Sequence, residues 1–315
     1  TNDAYLEPIR NRQNLRIIGN CQVDTILFDG TVARGVTAVV DGTRQEFGAD
    51  RVIIAAGAVH SPTILMRSGI GQRDHLEPLG IPLRVELPAG ENLVEHSGVW
   101  LGVAIRPEHQ VADVAFRHTN CCVRYSSELA GAGRNDMIMI SMNISSMDDA
   151  GRAGGRLIVD TFQTFSRGSL RLASASFEDQ PIVDLNMLSD ERDLIRMNDG
   201  MRRLFRVAQH PAVETIADSI FSTVTGEPFE EPKSDDELNR WLLAQVWDAQ
   251  HPVGTCRMGS ETDPRSVVGP TCAVLGLEHL WVIDASIMPE NPRANTHFTT
   301  VMIAEKMADV LKRDC

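Results

Sequence analysis

The 315-residue sequence lacks several features that would assign it to a special class of protein. No apolar run reaches the ~18 residues that a membrane-spanning helix needs, so we expect no transmembrane segment. The formal net charge is -13 and no basic cluster interrupts it, which argues against a nucleic-acid partner. Only 5% of the residues are aromatic, so a rich aromatic cage for a quaternary ammonium group is not favoured.

Cysteine patterns that would bind zinc or build a disulfide framework are also missing. The cysteines are scattered, without a C-x-x-C pair, and the adjacent Cys121 and Cys122 are poorly placed to bridge each other. We therefore predict no metal site and free thiols in a reducing compartment, the cytoplasm. The six cysteines are Cys21, Cys121, Cys122, Cys256, Cys272 and Cys315.

What the sequence does contain is ample apolar material for a core, since 43% of its residues are hydrophobic. The run 50–57 continues as an apolar stretch that ends in small residues, which is typical of a buried parallel strand, and 280–285 is a second apolar strand closed by Asp and Ala. The middle of the chain differs, because short alternating stretches there predict an antiparallel sheet. These stretches are 99–105, 136–144, 156–161 and 166–172. The fold class is therefore α/β plus α+β.

Turns and helix ends are marked by familiar signals. Asp29-Gly30 and Asp41-Gly42 predict hairpin turns near the N-terminus, where 15–18, 23–28 and 35–40 are expected to be strands. Four helices are predicted from capping residues and apolar periodicity. They begin at Ser61 as N-cap with Pro62 first, at Asp190, at Ser234 with Glu237 in a capping box, and at Thr299 with Val301, Ala304, Ala308 and Leu311 on one face.

Two histidines stand in segments whose composition suits a site rather than a core. His251 opens H-P-V-G-T-C-R-M-G, and His297 closes the loop P-E-N-P-R-A-N-T-H. An imidazole titrates near neutral pH, so a converging pair can manage a proton. A lone histidine is more often structural, and composition alone leaves both readings open for this pair.

Several motifs together resemble the glucose–methanol–choline (GMC) oxidoreductases, which are flavoenzymes that oxidise alcohols. The resemblance extends over most of the chain, and the order and spacing of its motifs are specific. They are N-L-R-I-I-G-N-C-Q-V (14–23), G-A-V-H-S-P-T-I-L-M-R-S-G-I-G (57–71), P-A-G-E-N-L (88–93), S-R-G-S-L-R-L (166–172), the His251 motif, and D-A-S-I-M-P (284–289).

The resemblance implies FAD as cofactor and names the residues that should meet it. Small side chains at positions 55–57 let the backbone approach the dinucleotide, although tight packing of a strand on a helix needs the same residues. Asn92 is equally well explained by a turn, Asp284 by a helix cap, and Trp247, the expected lining of the substrate pocket, by core packing. The residues implied for FAD are Val23, Ala56, Gly57, Asn92, Asp284, Ala285, His297 and Phe298.

The activity that the resemblance implies is oxidation of a primary alcohol to an aldehyde, with hydride transfer to flavin N5. His251 is expected to accept the hydroxyl proton and His297 to orient the same oxygen, although these two roles are interchangeable. Two alternatives stay open. Some similar proteins are hydroxynitrile lyases that keep FAD without net redox chemistry, and a non-catalytic fragment would serve only as a structural module.

The sequence departs from the family pattern in two places. No G-x-G-x-x-G loop is present to bind the FAD pyrophosphate. We therefore expect the C-terminal part of a longer enzyme, with residues 1–97 and 246–315 in a partial Rossmann-like FAD domain and 98–245 in an inserted substrate domain on an antiparallel sheet. The expected partners are an alcohol and the missing N-terminal part, possibly a second chain. The second departure is Glu95, where the family has Asp.

Overall fold

The computed structural model describes residues 1–313, apart from the side chain of Asn120. Cys315, counted above among the free thiols, lies outside the described residues. The strands are β1 Cys21–Asp29, β2 Val32–Val40, β3 Thr43–Gly48, β4 Val52–Ile54, β5 Ile70–Gly71, β6 Val85–Glu86, β7 Ser97–Ile105, β8 Thr119–Tyr125, β9 Met137–Met142, β10 Gly154–Thr161, β11 Ser169–Arg171, β12 Ile182–Asp184, β13 Ala217–Ser222, β14 Trp247–Asp248 and β15 Leu280–Val282. The α-helices are α1 Gly57–Arg67, α2 Arg73–Leu76, α3 Glu191–Ala208, α4 Pro211–Ile216, α5 Asp235–Gln245 and α6 His297–Arg313.

The N-terminal strands form an antiparallel meander in the order β1-β2-β3. Both predicted hairpin turns are confirmed, because Gly30, Asp41 and Gly42 all have positive φ, as tight hairpin turns require. The strand predicted at 15–18 is wrong, since this segment is irregular backbone. Its Ile17 is exposed, so no packed face supports a strand there.

Both apolar runs form strands, as predicted, and β4 lies parallel to β15, which agrees with the parallel strand predicted for the first run. Val52 and Ile54 are buried, but Ile53 is 49% exposed, so β4 is covered on only one face among the described residues. The predicted start of the next helix is wrong, because α1 begins at Gly57 and Ser61 lies inside it. The Ser61 hydroxyl accepts from the backbone N–H of Ala56 and donates to Asp284, which gives it a buried tertiary role instead.

A six-stranded antiparallel sheet carries the middle of the chain, in the order β13-β7-β10-β9-β8 with β14 also paired to β7. Alternate residues of β7 and β10, such as Val99, Leu101 and Val159, pack with α3 and α5 in a second core. The opposite face carries residues of the other parity, among them Gly98 and Asp160, which face each other across the two strands. The predicted antiparallel sheet is therefore confirmed.

Capping explains where the two helices on this sheet begin. The Asp190 carboxylate accepts from the N–H of Arg192 at the start of α3, and Ser234 accepts from the N–H of Glu237 at the start of α5. The predicted apolar face of α6 is wrong, because Ala304 and Ala308 are exposed. The face that packs on the core instead carries Ile303, Met307, Val310 and Leu311. None of the described helices combines the length and apolarity needed to cross a membrane.

Candidate active site

Backbone pairing brings His251 next to a histidine that the sequence analysis did not select. The segment 94–98 runs antiparallel to 247–253, with Trp247 opposite Gly98 and a bridge between Val94 and Val253. This pairing sets His96 beside His251, 155 residues apart in the chain, and their Nδ1 atoms are 3.0 Å apart. The Nε2 atom of His251 lies 3.2 Å from Nδ2 of Asn295.

His96 is fully buried and its ring is held on both sides. Its Nε2 lies 3.0 Å from the carbonyl oxygen of Pro292, and its ring stacks on Phe162 with centroids 4.6 Å apart. Burial, together with the neighbouring His251, lowers the pKa of His96 to about 3. Burial also lowers the pKa of His251. Both rings are therefore neutral at neutral pH, and only His251 is partly accessible.

Glu95 connects the backbones of the two histidines. Its carboxyl group accepts hydrogen bonds from the N–H of His96 at 2.8 Å and from the N–H of His251 at 2.8 and 2.9 Å. Burial raises the pKa of Glu95 to about 8, and the backbone donors oppose this rise. The longer side chain of Glu, where the family pattern has Asp, lets one carboxyl group reach both chain segments.

His297 is the first residue of α6, and its side chain is exposed. Its ring lies beside that of Phe298, with centroids 5.6 Å apart, and Phe298 is 83% exposed. Within the described chain the hydrogen-bond partners of the His251 ring are His96 and Asn295, not His297. The pairing of His251 with His297 stays a prediction.

Two of the residues expected to meet FAD line one cavity. Val23 and Ala56 border a space of about 330 Å³, together with His60 and Arg67. Gly57 follows at the strand end with φ +81°, and open space lies where its side chain would be. A cavity that reaches Ala56, beside a backbone that only glycine readily adopts, fits the approach of a dinucleotide.

Asp284 ties the ends of the two parallel strands together. Its carboxylate accepts from the N–H of Gly57 at 2.9 Å and from the hydroxyl of Ser61 at 2.5 Å. The other oxygen accepts from the N–H and hydroxyl of Ser286, so Asp284 caps the short helical turn Ala285–Ile287. These hydrogen bonds support the interpretation of Asp284 as a helix cap. Its contact with the cofactor remains a prediction.

Asn92 lies away from the cavity that Val23 and Ala56 border, and its side chain stabilises a turn of the backbone. It adopts a positive φ of 56°, and its side chain donates to the carbonyl of Pro289 at 3.2 Å. Its side-chain oxygen accepts from Arg167 at 3.1 Å. These contacts support the turn reading, and Asn92 borders a separate cavity of about 470 Å³. Its contact with a flavin stays a prediction.

Trp247 is placed on the sheet face that carries the histidines. It is 45% exposed, and its ring lies nearly parallel to that of Trp100, with centroids 6.1 Å apart. Beside them Asp160 is buried, and its Oδ1 has no hydrogen-bond partner among the described residues. Burial raises the pKa of Asp160 to about 7. A lone Asp in the apolar run L-I-V-D was the sequence signal for it.

The structure shows the state of the cysteines and the placement of the side chains that could bind a metal, over the described residues. Cys21, Cys121, Cys122, Cys256 and Cys272 are free thiols, of which Cys256 and Cys272 are buried. Across residues 1–313, no three His, Cys, Asp or Glu side chains come together as metal ligands would.

Comparison with known proteins defines the class to which this fold and site belong. Two profiles described as GMC oxidoreductase match residues 1–98 and 164–304. The chain therefore belongs to the GMC oxidoreductase family, as its motifs predicted, and the predicted combination of a FAD-binding fold with a substrate domain is that of the family's structures.

Individual relatives give the extent of the match. The chain is 33% identical to mitochondrial choline dehydrogenase of Homo sapiens, over 98% of this chain and 56% of that protein. It is also 33% identical to oxygen-dependent choline dehydrogenase 1 of Chromohalobacter salexigens, over 98% of this chain and 59% of that protein. This chain thus spans a little more than half the length of these relatives.

Solved structures agree on the fold. Pyridoxine 4-oxidase from Mesorbium loti superposes with a TM-score of 0.85 at 27% identity, covering 99% of this chain and 61% of that one. Formate oxidase of Aspergillus oryzae, whose FAD modification is described, reaches a TM-score of 0.86 at 23% identity, covering 97% of this chain and 62% of that one. At that identity the second match supports the fold alone.

Proposed function

We propose that this chain is part of an FAD-dependent enzyme that oxidises a primary alcohol to an aldehyde. His251 accepts the hydroxyl proton and His297 orients the same oxygen. The geometry of His251 carries the proposal, since a neutral, partly accessible imidazole is anchored at Nδ1 and directs Nε2 towards the accessible side. A general base of this kind contributes typically ~10²–10⁴-fold to a rate.

The residues of the chain divide the work of the proton step. Anchoring at Nδ1 limits rotation of the His251 ring, so Nε2 faces one direction when an alcohol arrives. His297, at the exposed start of α6, has a free ring that can turn to donate to the alkoxide oxygen. Orientation by such donors lowers the barrier separately from the proton transfer itself.

FAD, when bound, supplies the acceptor for the hydride that leaves the carbinol carbon. Val23, Ala56 and Gly57 are the residues proposed to border its adenine and pyrophosphate part, because Val23 and Ala56 line one cavity and Gly57 follows Ala56 with a positive φ. Ala285, Phe298 and Asn92 are proposed to approach its flavin part. Trp247 is proposed to line the substrate pocket from the sheet face.

The proposed holoenzyme includes a further polypeptide segment that completes the FAD site. Apolar side chains support this, since Phe298 is 83%, Met302 54% and Ile53 49% exposed on the described chain. Phe298 and Met302 lie one turn apart on α6, and neighbouring exposed apolar side chains mark contact surfaces. The free cysteines support a reducing compartment, and we propose the cytoplasm.

The test is a flavin assay on the complete enzyme, with this chain joined to the segment that completes it. An alcohol oxidoreductase bleaches its flavin absorbance when a primary alcohol is added without oxygen. A hydroxynitrile lyase would bind FAD but leave the absorbance unchanged with its substrate. A structural fragment would take up no FAD, and a thermal melt with and without FAD would show no shift.

A further inference from the structure

A line of three hydrogen bonds runs from the backbone through the rings of His96 and His251. It begins at the carbonyl oxygen of Pro292, which lies 3.0 Å from Nε2 of His96. It continues from Nδ1 of His96 to Nδ1 of His251 over 3.0 Å, and ends with Nε2 of His251 at 3.2 Å from Asn295. Each of these distances is that of a hydrogen bond, so each contact needs one proton and one lone pair.

The first contact fixes the rest of the line. A carbonyl oxygen only accepts, so Nε2 of His96 must carry a proton. His96 is buried and neutral, and a neutral imidazole has a single N–H. Its Nδ1 is therefore an acceptor, which requires a proton on Nδ1 of His251. The neutral ring of His251 then has its lone pair at Nε2.

We infer that His96 is a positioning residue that holds His251 in the tautomer with Nδ1 protonated and Nε2 unprotonated, as a proton acceptor. The amide of Asn295 agrees with this, because its NH₂ group is the part that faces Nε2 and donates to that lone pair. The tautomer follows from the hydrogen bonds together with the neutrality of the buried His96 ring. Its catalytic meaning rests on the proposed function.

Surrounding contacts make the alternative arrangement of the two rings costly. Phe162 stacks on His96 with an interplanar angle of 15° and meets the edge of His251 at a centroid distance of 6.3 Å. Glu95 binds the backbone N–H groups of both histidines. Rotation of either ring would break the Nδ1–Nδ1 contact and leave a buried nitrogen without a hydrogen-bond partner, which is unfavourable.

The line also shows where an accepted proton stays. A proton that arrives at Nε2 of His251 converts this ring to the imidazolium, which still donates from Nδ1 to His96. Transfer of the Nδ1 proton onwards would charge His96, which is the more deeply buried ring. The positive charge therefore remains on His251, and His96 orients without becoming a second base.

Histidine tautomers can be read directly by long-range ¹H–¹⁵N correlation on the full chain labelled at histidine nitrogens. A protonated and an unprotonated imidazole nitrogen resonate far apart, and loss of peaks in His251→Gln assigns the ring. We expect Nδ1 protonated and Nε2 unprotonated in His251, with the reverse in His96. Protonated Nε2 in a neutral His251 would overturn the inference.

His96→Phe tests the cause, because it keeps a ring to stack on Phe162 but removes the acceptor. The expected result is a mixed or reversed His251 tautomer, whereas the matched His109→Phe variant, at an exposed histidine, leaves it unchanged. An unchanged tautomer in a folded His96→Phe protein would overturn the inference. If that variant does not fold, the wild-type spectrum still decides.

The same variant in the holoenzyme separates this inference from the proposed function. We expect flavin reduction to slow by ~10- to 10⁴-fold, the range between a weakened base and a wrong tautomer, with a smaller change in alcohol KM. The wild type could show the expected His251 tautomer but no alcohol-dependent flavin reduction. That result would contradict the proposed function and would still support the tautomer inference.

Discussion

Two groups of buried polar side chains in this molecule differ in how completely their hydrogen bonds are used. In the substrate-domain core, Arg196 pairs with Asp136 at 3.1 Å and with Asp193, and all three side chains are fully buried. Ser127 and Ser166 donate to the two carboxylates from both backbone and hydroxyl. The group is closed, and nothing in it is directed outward.

The group around His251 is built differently. Its members are neutral rings and one carboxyl group of raised pKa, and its line of hydrogen bonds ends at a partly accessible nitrogen. A closed ionic group contributes to structure, because each charge is already paired and can do no chemistry. The open neutral group ends in an imidazole lone pair that meets only the exposed Asn295 amide, and an unprotonated imidazole nitrogen is what a general base requires. The two groups therefore differ in whether all their hydrogen-bonding atoms have buried partners.

The largest expected effect is on the closed group. Arg196→Met leaves Asp136 and Asp193 buried without their cation, so we expect the free energy of unfolding to fall by about 3–5 kcal/mol. Urea denaturation measures it. Arg206→Met on the same helix, at an exposed position, is the control and should stay within ~0.5 kcal/mol. A loss below ~1 kcal/mol for Arg196→Met would mean that the ionic group is not needed for stability.

A carboxyl group without a partner sharpens the comparison. Burial raises the pKa of Asp160 to about 7, so the fold keeps a proton that the unfolded chain releases near pH 4. The free energy of unfolding should therefore fall as the pH rises from about 4 to about 7. Asp160→Asn mimics the neutral acid and should be more stable than the wild type by on the order of 1–4 kcal/mol above pH 7.

Thermal melts between pH 4 and pH 8 give this difference directly. The two proteins should converge near pH 4, and Asp50→Asn, at an exposed position, should follow the wild type throughout. If Asp160→Asn were less stable than the wild type at pH 8, then Asp160 would be ionised in the fold and bound to a partner.

A smaller effect on the free energy of unfolding is expected at Glu95, which binds the backbone of both histidines in the group around His251. Glu95→Ala removes the acceptor for the N–H groups of His96 and His251, so we expect a loss of about 1–3 kcal/mol. Glu46→Ala on the exposed side of β3 is the control, with a change within ~0.5 kcal/mol. Equal effects of the two substitutions in urea would show that Glu95 does not hold the segments together.

Local signals in the sequence were enough for much of the fold. The Asp-Gly turns, the caps at Asp190 and Ser234, and the alternating strands depend on neighbouring residues, and the structure has them. The prediction of Ser61 as a helix N-cap was wrong because its hydroxyl donates to Asp284, 223 residues away. A start signal for a helix cannot reveal such a tertiary partner.

Some residues of the candidate site could be identified from local sequence, and others could not. His251 was selected from its motif, but His96 was not, because only the pairing of 94–98 with 247–253 brings the two rings together. Arg196 has no local sequence signal of its buried role, since its partner Asp136 is 60 residues away. Motifs identify which residue can react, while tertiary pairing decides what holds it.

The central claim is that His251 is the base in alcohol oxidation, and the rate of anaerobic flavin reduction in the holoenzyme tests it most directly. His251→Ala should lower that rate constant by ~10²-fold or more at saturating alcohol, because a general base is worth ~10²–10⁴-fold. His109→Ala should leave the rate constant unchanged. A His251→Ala enzyme that binds FAD and reduces it within ~10-fold of the wild-type rate would contradict the claim.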